Sequence, residues 1–186
     1  MKEYQHLMLD IESLSSKDNA VITSIAAVAF DMITGETGPE FKIDIQIQDS
    51  INKGLEVNGD TIVWWLEQSN EARKGLTEGQ KKAVRLDHAL FEFTSFVQSL
   101  KPSELRVWGN SCTFDNVLLR QAYNKINKPI PWKYVMDRDV RTIVEFAPEV
   151  KANTVFVGTK HDPINDCKHQ IKYLVKIYNK IKVINE

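Results

Sequence analysis

The stretch "HLMLDIESL" (residues 6–14) sets two acids, Asp10 and Glu12, among Leu7, Met8, Leu9 and Ile11. Apolar flanks of this kind predict a buried strand. Alternate residues of a strand share a face, so the two carboxylates stand side by side. Held there, they repel each other and resist leaving water. A hard divalent cation, Mg²⁺ or Mn²⁺, removes the difficulty, because it takes carboxylate oxygens as ligands and turns repulsion into shared coordination. Two acids are too few to hold such an ion strongly, so others must come from elsewhere in the chain.

Two stretches supply them. In "VWGNSCTFDNVLLR" (107–120) a short strand runs into Gly109 and Asn110, and a helix begins near Phe114. Asp115 then falls in the first turn, where the helix dipole favours an anion. Taken alone, Asp115 reads equally well as a ligand or as a capping acid. In "GTKHDPINDCKHQ" (158–170) Pro163 opens a helix, as proline does in a first turn. His161 is left on the loop before it and Asp166 lies about one turn inside, so both can face one cleft. Asp162 suits the N-cap better than a metal. Asp10, Glu12, Asp115 and Asp166, with His161 as general base, form a complete set for metal-assisted hydrolysis.

These residues need elements to position them. Residues 5–12 and 20–31 read as strands, and "ITGE" (33–36) as a glycine-containing turn. "EFKIDIQIQ" (40–48) alternates as a half-exposed third strand should. Helices are expected over 60–69, capped by Asp60 or Thr61, and over 86–100, 114–126, 139–147 and 163–182. Pro148 is expected to stop the fourth of these. A strand at 106–110 lies between helices. Three antiparallel strands followed by helices alternating with further strands describe an α/β fold.

Composition narrows the rest. The chain has 186 residues, 42% hydrophobic and 26% charged, with a net charge of -1 and a mean hydropathy of -0.32. One domain over 1–186 is expected, and no global basic field draws nucleic acid. No run approaches the roughly 18 apolar residues of a membrane span. The start lacks the apolar core of a signal peptide. Two cysteines, Cys112 and Cys167, are too few for a disulfide framework, so a cytoplasmic protein with free thiols is expected.

"LDIES", "FDNVLLR" and "HDPIND", in that order and spacing, resemble the three motifs of the DEDDh 3′–5′ exonucleases. "TIVWWLEQSNEAR" (61–73), "VWGNSCTFDN" (107–116) and "DRDVRT" (137–142) are similar to one branch of them. That branch holds exodeoxyribonuclease VIII, the exonuclease A of T-even phages and RNase-T-like exoribonucleases. The resemblance runs from about residue 5 to residue 180. It implies a ribonuclease-H-like mixed sheet, an antiparallel three-stranded meander extended by parallel strands and flanked by helices. It also implies two divalent cations, bridged by Asp10, with Glu12 and Asp166 on one and Asp115 on the other, and His161 taking the proton from water. The family's third motif reads H-x-A-x-x-D, and Pro163 stands here at the alanine position. A homodimer is a further implication, without an interface signal in the sequence.

Trp65, Asn110, Phe114 and Arg141 are the candidate substrate contacts. Trp64 and Trp65 diverge by about 100° on a helix, so one belongs to the core and the other to the surface. Arg138 and Arg141, three apart on one helical face, suit phosphate contact or a structural ion pair with Asp137 or Asp139. Lys168, Lys172, Lys176 and Lys180 form a solvated face of the last helix, or else a phosphate track. The expected activity is metal-dependent removal of mononucleotides from a free 3′ end of single-stranded nucleic acid, DNA ahead of RNA. RNA, or short oligonucleotides of either kind, are the alternative substrates. A non-catalytic nucleic-acid-binding protein on the same fold is disfavoured, because all four acids and the histidine are present.

Overall fold

The computed structural model describes residues 3–101 and 104–184. Its five-stranded sheet has the order β3-β2-β1-β4-β5, from β1 (His6–Ser13), β2 (Ile22–Phe30), β3 (Thr37–Asp44), β4 (Arg106–Gly109) and β5 (Asp137–Asp139). β1 runs antiparallel to β2 and parallel to β4, and β4 runs parallel to β5. Among the described residues, eight α-helices surround the sheet: α1 (Ile47–Asn52), α2 (Gly59–Glu67), α3 (Asn70–Lys82), α4 (Leu86–Ser99), α5 (Asp115–Lys125), α6 (Val140–Val144), α7 (Pro148–Ala152) and α8 (Pro163–Ile184).

The strand period divides the core between the two faces. Leu7, Leu9 and Ile11 of β1 join the cluster containing Leu90, Phe93 and Leu119. Met8 joins Phe30, Trp108 and Leu174 on the opposite face, against α8. Each fully buried side chain of this size contributes about 1.5–3 kcal/mol through lost apolar surface. On β1 the even-numbered row His6, Met8, Asp10, Glu12 therefore lies on the α8 side, and only its last two members are acids.

Several elements depart from the sequence expectations. The third strand ends at Asp44, and Gln48 lies inside α1, because Ile45 pairs across to Val84 and the chain turns there. Asn58, and neither Asp60 nor Thr61, caps α2, its side chain accepting from both of those N–H groups. Pro148 starts α7 instead of merely ending α6, which is only five residues long. β5 and α3 were not anticipated. Arg138 lies on β5 and Arg141 on α6, so the two do not share a helical face.

Asp137 and Asp139 serve as braces. Asp137 Oδ1 accepts from Asn116 Nδ2 and Trp132 Nε1, both at 2.8 Å, and its other oxygen pairs with Arg120. Asp139 caps α6 through the Thr142 N–H at 2.7 Å and also accepts from the Cys112 N–H at 2.9 Å. On α8, Lys168 pairs with Glu40 and Lys180 with Glu149, which leaves Lys172 and Lys176 as the solvated members of that row. No helix among the described residues is long and apolar enough to cross a membrane.

Candidate active site

A cleft of about 280 Å³ opens at the C-terminal end of β1. Asp10, Glu12, Asn110, Phe114, Asp115, Arg141, His161 and Asp166 all line it. Trp65, the remaining candidate substrate contact, does not line this cleft, although its ring centroid lies 6.2 Å from that of His161. It is buried in the core, and its Nε1 donates to the Ser13 carbonyl at 2.9 Å. Trp64 is the exposed member of the pair, its ring centroid 5.3 Å from that of His161.

The four acids come from three elements, Asp10 and Glu12 from β1, Asp115 from α5 and Asp166 from α8. Asp115 sits in the first turn of α5, only 4% exposed. Its Oδ1 accepts from the Ile11 N–H at 3.1 Å and its Oδ2 from the Ser111 N–H at 3.4 Å. Gly109 permits this approach, since a Cβ there would stand 3.0 Å from Asp115 Oδ2 and 2.7 Å from Asn116 Oδ1. Asp10 Oδ1 accepts from Gln170 Nε2 at 2.9 Å. Asp166 lies in the first turn of α8, its backbone N–H donating to the Asp162 carbonyl at 3.0 Å.

His161 precedes that helix with φ of 62°, in the left-handed region where most side chains are strained. Asp162 next to it caps α8, accepting from the Ile164 and Asn165 N–H groups. Its other oxygen takes Lys42 Nζ at 2.8 Å, which fastens the histidine loop to β3. Helix cap and salt bridge together fix where the imidazole stands.

Glu12, His161 and Asp166 offer ligand atoms that all lie within 4.8 Å of one another. Asp10 and Asp115 line the same cleft outside that cluster, each engaged by a protein N–H. The electrostatic strain is large. Burial, with the charges of Asp115, Glu12 and Asp166, holds Asp10 well above the usual carboxylate range. Burial, then Asp166 and Asp115, pushes Glu12 up to about 8. Burial raises Asp115 to about 6 against the pull of its backbone N–H partners, and it raises Asp166 as well. A divalent cation would relieve each of these. The residues fit one: the donors are hard oxygens with one imidazole, and buried Asp166 Oδ2 has no hydrogen-bond partner among the described residues.

Gln170 escaped the sequence reading. It is 4% exposed, and its Oε1 is also buried without a partner among the described residues. The available signal was its place four residues after Asp166, on the same face of α8.

The phage T4 exodeoxyribonuclease is 23% identical over 200 aligned residues, which cover 88% of this chain and 85% of that protein. The nuclease domain of 3′hExo, a DEDDh family member solved with bound rAMP, superposes with a TM-score of 0.65 at 11% identity, covering 95% of this chain and 93% of that one. Escherichia coli exonuclease I, solved with a dT13 oligonucleotide, gives a TM-score of 0.63 at 13% identity. Its match covers 97% of this chain, which spans only 42% of exonuclease I. Residues 5–178 match the 3′-5′ exoribonuclease Rv2179c-like domain, and the chain belongs to that 3′–5′ exonuclease family, on the ribonuclease-H-like fold that it shares with these solved exonucleases.

Proposed function

We propose that the protein removes nucleoside monophosphates from the free 3′ end of single-stranded DNA by metal-assisted hydrolysis, with His161 as general base. The observation that carries this reading is the meeting of Glu12, His161 and Asp166 within 4.8 Å in a cleft that also holds Asp10 and Asp115. Asp10, Glu12, Asp115 and Asp166 would hold two divalent cations, Mg²⁺ or Mn²⁺. When bound, such ions make water a stronger acid and offset the charge that grows on phosphate and leaving oxygen.

The side chains do the remaining work. His161 takes the proton of the attacking water at a ring nitrogen. Arg141, exposed at the rim, offers its guanidinium to phosphate oxygens. A neighbouring hollow lined by Ser13, Asn58, Trp64 and Phe114 adjoins Glu12 and suits the terminal nucleoside, with rings for the base and polar groups for the sugar. Gln170 keeps Asp10 oriented. Replacing Gln170 with the similarly sized Leu should weaken metal activation about 10–100-fold, as loss of a partner that orients a metal ligand usually does. The Mn²⁺ concentration that half-activates hydrolysis measures this, and an unchanged concentration removes Gln170 from the site.

The phage relative, aligned over most of both chains, supports DNA. A second reading, RNA, is favoured by the family's description as an exoribonuclease domain. The test is cleavage of 5′-labelled single strands of DNA and RNA of one sequence with Mg²⁺, Mn²⁺ or EDTA. A ladder shortening from the 3′ end, absent in EDTA, is expected, with DNA faster. Faster RNA cleavage would transfer the assignment to RNA. No cleavage of either polymer by folded, metal-supplied protein would overturn it.

A further inference from the structure

The other end of β1 carries a second pocket, of about 700 Å³, that the hydrolytic site does not use. His6 pairs in register with Arg106 and with Phe30, and Trp108 with Arg138. Cross-strand partners share a face, as do Arg106 and Trp108 two residues apart. His6, Phe30, Arg106, Trp108 and Arg138 therefore project on one side. It is the side on which Asp10 lies, four residues and about 13 Å along the strand.

Three groups in this pocket are donors with no hydrogen bond to a carboxylate among the described residues. Among the described residues, the Arg106 side chain reaches the Gln5 side chain, and Arg138 the carbonyls of Val135 and Asp137. Neither makes an ion pair among the described residues. His6 Nδ1 accepts from Trp108 Nε1 at 2.9 Å, which leaves the proton of the neutral ring on Nε2. Burial and the two arginines, against the opposing charge of Asp31, lower its pKa to about 4 and keep the ring neutral. Glu3 and Asp31 also line the pocket; Asp31 already accepts from the Ile33 and Thr34 N–H groups, so an occupant suits Glu3 best if it carries donors of its own besides an anionic group. Its aromatic wall includes Tyr178, 37% exposed. A phosphate with an attached base and sugar meets all three demands, and the volume admits it.

We propose that this pocket binds a nucleotide, its phosphate between Arg106 and Arg138 and its base against the aromatic wall. The nucleotide is either a free monophosphate or one unit of a bound strand. The choice of a nucleotide rests on the exonuclease reading; the donor set and rings do not.

Adenosine 5′-monophosphate and inorganic phosphate are titrated calorimetrically into EDTA-treated wild type, Arg106→Gln and Arg106→Gln/Arg138→Gln. In parallel, the metal-supplied proteins hydrolyse a dinucleotide and a 20-nucleotide strand. Thermal melts check folding, which matters for Arg138 because it bonds the backbone around β5. Arg106→Gln, which among the described residues gives up only a bond to another side chain, keeps the test independent of that.

Loss of about tenfold in monophosphate affinity with strand hydrolysis unchanged assigns a free nucleotide. A KM about tenfold higher for the long strand alone, with the dinucleotide unaffected, assigns a unit of the strand. Unchanged affinity and unchanged KM in both variants overturn the proposal. If wild type hydrolyses neither polymer, the titration still reads the pocket, so failure of the exonuclease reading is told apart from failure of this one.

Discussion

Asp10→Asn should lose at least about 1,000-fold in hydrolysis while making the metal-free protein more stable. Both effects follow from one arrangement. Asp10 is crowded by Asp115, Glu12 and Asp166 and largely removed from water, and its folded pKa lies well above its unfolded one. A group of that kind contributes stability below its unfolded pKa and loses it as pH rises through the folded value. Glu12, raised to about 8, and Asp115, raised to about 6, act in the same direction. Metal-free wild type should therefore lose stability as pH climbs from about 4.5 to about 8. Asparagine carries no charge at any of these values, yet its amide oxygen can still accept from Gln170 Nε2. The variant should therefore melt at a higher temperature than wild type near pH 7.5 in EDTA. Saturating Mn²⁺ should reverse the order, stabilising wild type far more than the variant. Thermal melts at pH 5 and pH 7.5, with EDTA or Mn²⁺, measure all of this. A variant less stable than wild type in EDTA at pH 7.5 would show that the acids are not in conflict.

The acids could be read from the sequence because each advertised itself against its local pattern: charges inside an apolar strand, an acid in a first turn, a histidine just before a proline-started helix. The strand around Phe41 followed from the period of two, and those around Leu7 and Val28 from their apolar runs. α3 did not, because "NEARKGLTEGQKK" is polar and carries two glycines. Gly79 has a reason that only the fold supplies: a Cβ there would fall 2.7 Å from Asp44 Oδ1. β5 consists of three charged residues, Asp137, Arg138 and Asp139, made a strand by pairing with β4. Helical geometry established that Trp64 and Trp65 must part but not which one turns inward. That was decided by the Ser13 carbonyl, 52 residues away. Gln170 looked like one more polar residue of an amphipathic helix, since its partner Asp10 lies 160 residues earlier.

The histidine loop allows a variant that separates proton transfer from folding. His161 holds φ of 62°, a conformation that asparagine also adopts readily and β-branched residues resist. The rest of the loop does not depend on the imidazole, because Asp162 keeps its cap and its bond to Lys42 whatever side chain precedes it. His161→Asn should therefore fold as wild type does, with a melting temperature within about 2 °C, given that surface loop changes compatible with the backbone cost little. It should still bind a single strand in the presence of Ca²⁺. Its single-turnover hydrolysis should fall about 100–10,000-fold, the range of a lost general base. His161→Val should fall as far in activity and also lose about 1–3 kcal/mol of stability from the strained backbone. The edge contacts of the imidazole with Trp64 and Trp65 would be lost in both variants, so the contrast between them isolates the backbone. Rapid-quench hydrolysis and melts of both proteins decide the matter. Activity within tenfold of wild type in His161→Asn would mean that another group, or bulk water, accepts the proton, and that the histidine only shapes the loop on which Asp166 depends.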